Sequence, residues 1–224
     1  MSDIFYKVVR TAGRPVFWMA SRPTVLHANR VRRTGAVIVA PNHLSPYDVP
    51  CLMASTRRGL DFVSIAELFR KPVVGWFLTN MNAFGLDRAR TDTGTTRTIL
   101  DRLGRGRAVA MFPEGQIRRA ENSVLNGGGF KASVTRLARL AGAPIVPCVV
   151  LATGVFSRAG AWLPLRRARY GVWFGEELCV SREGEEEADC AQAAERLRQA
   201  YQTGYAELRE ASGLEVGDSP WRGS

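Results

Sequence analysis

Short runs of consecutive apolar residues alternate along the chain with longer stretches in which apolar positions recur every three or four residues. Ala36-Val37-Ile38-Val39-Ala40 is a run of the first kind, within a strand candidate at 36–40. Further β-rich stretches lie at 24–31, 61–65, 82–86, 107–112, 144–151 and 169–175. Helical spacing fills the intervals at about 49–57, 66–79, 92–104 and 130–141, the last stopping at Ala141-Gly142. Strand and helix in turn predict an α/β fold, a mostly parallel sheet of about seven strands flanked by helices, with the chemistry on loops at the carboxyl ends of strands. A last helix at about 186–211 is preceded by Glu185 and opens on Glu186-Glu187, acidic residues suited to the positive end of its dipole, and a polar tail follows.

The first residues also have helical spacing. Over 4–19, at about 100° per residue, Phe5, Val8, Val9, Ala12 and Val16 share one side and Lys7, Arg10 and Arg14 the other, with Gly13 and Pro15 predicting a kink. Such a segment either lies in a membrane interface or packs on the core with a solvated basic face, and the pattern leaves both open. The expected organisation is a membrane-associating helical segment at 1–22, an α/β domain at 23–182, and a C-terminal helix with a polar tail at 183–224.

Composition narrows the class. Of 224 residues, 46% are apolar and 23% charged, the balance of a folded protein and not of a disordered one. The formal charge of +10 is unusual and uneven: residues 1–33 hold seven Lys/Arg against Asp3, whereas 183–224 hold ten Asp/Glu against four Arg. That points to a polyanionic partner, an anionic membrane surface or a nucleic acid. No nucleic-acid recognition motif is present and the basic residues do not gather on one reading helix, so no nucleic acid is expected. Cys51, Cys148, Cys179 and Cys190 are scattered without a C-x-x-C pair, which predicts reduced, mostly buried thiols and no metal site. Lys7, Arg10 and Arg14 interrupt the start of the chain, so a secretory signal is not expected, and the uncharged run Leu140–Ser157 contains Pro144 and Pro147, which suits a buried strand and not a spanning helix.

Three strand-end loops carry candidate chemistry. In "APNHLSPYDVP" (40–50), His43 stands five residues before Asp48. An imidazole held by a carboxylate can take a proton from an alcohol near neutral pH, but Ser45-x-x-Asp48 also fits a helix cap. In "FPEGQIRR" (112–119), a glutamate, a glycine and two arginines at a strand end can bind an anion, or form a turn with solvated charges. "AFGLDRAR" (83–90) presents Arg88.

Together and in this order, these blocks resemble those of the glycerophospholipid acyltransferases, the family that includes the 1-acylglycerol-3-phosphate acyltransferases. The N-H-x-x-x-x-D block is matched by Asn42, His43 and Asp48, the Gly…Arg block by Gly85 and Arg88, the F-P-E-G block by Phe112, Pro113, Glu114 and Gly115, and a V/I-P block by Val146 and Pro147. The chain departs from the family's Thr-Arg after Glu-Gly: it has Gln116-Ile117, with Arg118 one place later.

The resemblance implies acyl transfer from a thioester of coenzyme A or acyl carrier protein to the free hydroxyl of 1-acylglycerol-3-phosphate, giving phosphatidic acid. His43 would be the general base and Asp48 would orient it. Asn42, Gly85, Arg88, Glu114, Gly115 and Arg118 would serve substrate binding, Arg88, Glu114 and Arg118 at the acceptor's phosphate and a backbone N–H near Gly115 at the oxyanion. No metal and no cofactor beyond the thioester co-substrate is implied. The partners would be a lysophospholipid, the acyl donor and an anionic membrane, with the protein peripheral on the cytoplasmic face. The alternatives are the same chemistry on another lysolipid or a lyso-aminolipid, and a basic lipid-binding protein without catalysis.

Overall fold

The computed structural model describes residues 3–86, 93–163 and 167–218. Its strands are β1 (Ser21–Leu26), β2 (Val37–Pro41), β3 (Asp61–Ile65), β4 (Phe84–Leu86), β5 (Ala108–Ala110), β6 (Ile145–Leu151) and β7 (Ala168–Phe174). They form one sheet in the order β1-β7-β6-β2-β5-β3-β4. Every pairing is parallel except that of β6 with β7. The helices are α1 (Asp3–Ala20), α2 (Asp48–Ser55), α3 (Ala66–Phe69), α4 (Pro72–Asn80), α5 (Thr93–Gly104), α6 (Ser133–Ala141) and α7 (Glu186–Ser212).

The central strands β2, β5 and β6 read as continuous apolar runs because both faces of the sheet are covered there. Successive side chains point to opposite faces. Val37 and Val39 join Phe17 of α1 and Leu52 of α2 in one core. Ile38 and Ala40 face the other way, towards Leu103 of α5, Leu137 of α6 and Leu197 of α7.

Local chemistry accounts for the boundaries that differ from expectation. β1 begins at Ser21, directly after α1, and tolerates Pro23 because it is an edge strand, paired among the described residues only with β7. It ends where His27 turns into the left-handed region (φ 56°). The helix expected at 66–79 divides in two: a residue before proline is driven out of helical geometry, and Lys71 is extended (φ −83°, ψ 116°) ahead of Pro72. The helix expected from 130 starts at Ser133. The glycine run before it threads past another loop, and a Cβ on Gly128 would lie 2.1 Å from the Asn122 carbonyl oxygen.

α1 continues through Pro15. It is seated on the core by Tyr6, whose hydroxyl accepts the Leu60 N–H (3.1 Å), and by Phe17 against Phe156 (centroids 4.9 Å). Arg10 and Arg14 do not lie on a solvated face as expected. Both are half-buried, and Arg10 donates to the Thr56 carbonyl. Ile4 (73% exposed) and Val8 (59%) face outward instead. No helix among the described residues is long and apolar enough to cross a membrane. All four cysteines are free, three of them buried and Cys179 exposed.

Candidate active site

The neighbouring strands β6, β2 and β5 all deliver loops at their carboxyl ends, and the site forms there. Asn42 continues the pairing of β2 with β6: its side-chain amide donates to the Val150 carbonyl (3.0 Å) and accepts the Val150 N–H (2.7 Å). This fixes where the next residue leaves the sheet. His43 Nδ1 lies 2.8 Å from Asp48 Oδ2. A carboxylate only accepts, so Nδ1 donates and Nε2 keeps its lone pair. The imidazole is stacked on Phe112, centroids 3.9 Å apart and planes at 25°.

Asp48 is fully buried in the first turn of α2. Its Oδ2 also accepts the N–H groups of Leu44 (2.8 Å) and Ser45 (3.0 Å), and its Oδ1 accepts the Thr153 hydroxyl. The helix cap position is Tyr47, without a side-chain cap, and the Asp48 carboxylate instead binds the histidine and the turn that precedes the helix.

A second carboxylate joins this loop to the F-P-E-G loop. Glu114 is 1% exposed. One oxygen accepts the His43 N–H, and the other accepts the Val124 N–H (2.7 Å) and the Ser123 hydroxyl (3.0 Å). Burial pushes its pKa up, against these hydrogen bonds and the nearby His43, which pull it down. The Arg118 N–H returns to the His43 carbonyl (2.8 Å).

From His43 an apolar cavity of about 1250 Å³ runs along Val49, Met53 and Ala54 of α2 to Arg10 and Phe17 of α1, with Phe77 and Leu78 of α4 in its wall. A volume of this order accepts a substantial apolar ligand. Beside it lies a polar pocket of about 550 Å³, lined among others by Arg118, Asn122, Asn126 and Gly127–Gly129. Lys131 borders both.

Several residues expected at the substrate are placed otherwise. Both ends of the Asn42 amide are engaged with Val150, so it holds the loop. Glu114 borders the polar pocket, but all three of its hydrogen bonds are internal, and an anionic group there does not attract phosphate. Gly85 packs on α3, where a Cβ would lie 3.2 Å from Ala66 Cα. The Gly115 N–H is turned to the Phe112 carbonyl (3.0 Å), so that amide is not a free oxyanion donor. Gly115 itself is needed for its left-handed backbone (φ 71°) under the Lys131 side chain. Arg118 borders the polar pocket as expected, and its buried Nε meets no partner among the described residues. Arg88 lies outside the described residues. The second histidine, His27, pairs with Glu207 of α7, 2.5 Å away at the β1–β7 edge.

A family model described as Acyltransferase matches residues 22–151, more than half of the chain. The chain belongs to the Acyltransferase family. Among similar proteins is the chloroplastic 1-acyl-sn-glycerol-3-phosphate acyltransferase LPAT1 of Arabidopsis thaliana, 30% identical over 130 residues, which are 57% of this chain and 35% of that one. A 1-acyl-sn-glycerol-3-phosphate acyltransferase of Chlamydomonas reinhardtii is 27% identical over 160 residues, 70% of this chain and 47% of its own. The chain thus spans between about a third and a half of these relatives. Its fold is that of the 1-acyl-sn-glycerophosphate acyltransferase PlsC from Thermotoga maritima, with a TM-score of 0.67 at 22% identity over 88% of this chain and 78% of that one.

Within this member of the Acyltransferase family, sequence reasoning misses Thr153 and Lys131. Thr153 reaches Asp48 from 105 residues away, and no local pattern announces such a contact. Lys131 had a signal: it directly follows the glycine run and Phe130, and its N–H closes on the Pro113 carbonyl (2.9 Å).

Proposed function

We propose that the chain transfers an acyl group from a thioester of coenzyme A or acyl carrier protein to the free hydroxyl of 1-acylglycerol-3-phosphate. The observation that carries this reading is the His43–Asp48 pair with its imidazole in the wall of a large apolar cavity. His43 Nε2 takes the hydroxyl proton as the oxygen attacks the thioester carbonyl carbon. The tetrahedral adduct expels the thiolate, which leaves as thiol with the proton from the imidazolium. Asp48 stabilises that imidazolium and holds the tautomer. The chain of an acyl group fits the apolar cavity, and the phosphate lies towards Arg118 and Lys131, the cationic side chains at the polar pocket. Since both acceptor and product are lipids, the protein works at a membrane surface, with α1 as one contact.

The test is purified full-length protein incubated with mixed acyl donors and lysolipids, with products identified by mass spectrometry. Phosphatidic acid is the expected main product. His43→Ala, still folded by circular dichroism, should lose on the order of 10²–10⁴-fold in rate. Near-wild-type turnover by that variant, or preference for a lysolipid without a phosphate monoester, would sink the proposal in its mechanism or its acceptor respectively.

A further inference from the structure

α4 leaves a face of large apolar side chains uncovered. Val73 is 78% exposed, Trp76 60%, Phe77 43% and Val74 38%. On a helix of 3.6 residues per turn these fall on one broad side. The opposite side carries Gly75, where a Cβ would lie 2.5 Å from the Phe69 carbonyl oxygen, so the helix is seated by its smallest residue and turns its bulk outward. Burying four such side chains in protein is ordinary, whereas leaving them together in water marks an interaction surface.

The surface continues onto α1. Phe5 packs edge-on against Trp76 (centroids 5.3 Å) and Phe77 (6.3 Å), and Ile4 and Val8 are exposed nearby on the same helix. The surrounding charge is mainly cationic, with Glu67 of α3 also exposed. Arg70 and Lys71 immediately precede α4, Lys7 stands exposed on α1, and α4 has no charged residue. Both helices also wall the apolar cavity, through Val9, Ala12 and Gly13 on one side and Phe77 and Leu78 on the other.

We infer that α4 is a second membrane-docking element, which lies with α1 on an anionic bilayer and sets the gap between the two helices against the lipid. An apolar face with interfacial tryptophan and flanking Lys/Arg is what an anionic lipid surface recognises, and a solvated protein partner would not call for the cationic border. The inference rests on the reading above only for the lipid nature of what the cavity receives.

The experiment uses the full chain and vesicles of phosphatidylglycerol and phosphatidylcholine, with binding measured by flotation. Val73→Glu lies outside the cavity wall and is too exposed to disturb the fold, and it should weaken binding about tenfold or more. Leu140→Glu, at a residue 53% exposed on α6 across the sheet, should change nothing. Mid-chain brominated lipid should quench tryptophan fluorescence, and Trp76→Phe should remove part of that quenching. Turnover of a short-chain acceptor dissolved below its micelle concentration should be the same in Val73→Glu and wild type.

Equal binding by Val73→Glu and wild type overturns the inference. So does equal loss by Leu140→Glu, or a wild-type dimer in light scattering that Val73→Glu disperses, since the face would then seat a second copy. Because binding is read without turnover, absence of acyl transfer would count against the proposed reaction and leave this result standing.

Discussion

Replacing Glu114 separates a positioning role from a substrate contact. Its carboxylate receives three donors, the His43 N–H on one oxygen and the Val124 N–H and Ser123 hydroxyl on the other. Glutamine has the same shape but only one acceptor oxygen. With that oxygen towards Val124, its NH₂ group faces the His43 N–H, donor against donor. Flipping the amide moves the conflict to Val124, because only the serine hydroxyl can reverse its role. One backbone N–H is left unsatisfied either way, at about 1–3 kcal/mol.

Glu114→Ala strips both backbone donors, roughly 2–6 kcal/mol, against a total stability of about 5–15 kcal/mol for a typical domain. Titration gives a further sign. Burial raises the folded-state pKa of Glu114 above its unfolded value, so this group's contribution is fully present below the unfolded pKa and is lost as pH rises through the folded one. The glutamine variant lacks that slope. Urea unfolding at several pH values and steady-state kinetics are the assays. We expect Glu114→Gln to lose about 1–3 kcal/mol and to lower kcat more than it raises KM. Unchanged stability with a raised KM for the phosphate-bearing acceptor alone would refute the reasoning and return Glu114 to the substrate.

Asp48→Asn should fold, since an amide oxygen in place of Oδ2 still accepts from His43, Leu44 and Ser45 and the NH₂ group can donate to Thr153. It should nevertheless lose on the order of 10²–10³-fold in kcat with KM little changed, because a unit charge about 4 Å from the developing imidazolium is worth up to about 4 kcal/mol at an effective dielectric of about 20. A kcat within threefold of wild type would count against the assigned role. Arg118→Ala and Lys131→Ala should each lower kcat/KM for the phosphate-bearing acceptor roughly ten- to hundredfold without altering KM for the donor, Arg118→Lys should rescue in part, and exposed Arg119→Ala should be silent. A defect in Arg119→Ala alone would relocate the anion contact.

The central strands β2, β5 and β6 were legible because each is apolar and buried on both faces, and short unbroken apolar runs leave little else to fold into. His43 and Asp48 were legible because their partnership is local, five residues apart around one helix start. The two short helices of 66–80 were not separated, since an apolar periodicity carries across Lys71 and only the steric demand of Pro72 interrupts it. The hydrogen bonds of Asn42 and Glu114 were not legible for a different reason. A motif names residue types, whereas the direction of a carboxylate or an amide depends on groups brought in from afar, here Val150, Ser123 and Val124. α1 shows the same limit: Arg10 is half-buried because the C-terminal end of α2 offers it a carbonyl, which helical spacing does not reveal.

The pairing of β1 with β7 alone has a consequence for how the chain assembles. Among the described residues, 21–26 find their strand partner only in 168–174, and the inward aromatic of α1, Phe17, rests on Phe156 and Tyr170. At a synthesis rate of about 5–20 residues per second, the roughly 150 residues between them take roughly 8–30 s to emerge. Throughout that interval Phe17 lacks its aromatic seat, while Tyr6 and Arg10 can already reach Leu60 and Thr56, and the exposed apolar residues of α1 are available to whatever surface the ribosome faces. Contacts so distant in sequence also form late in folding, so a chain cut short before β7 leaves β1 without a strand partner among the described residues and Phe17 without Tyr170.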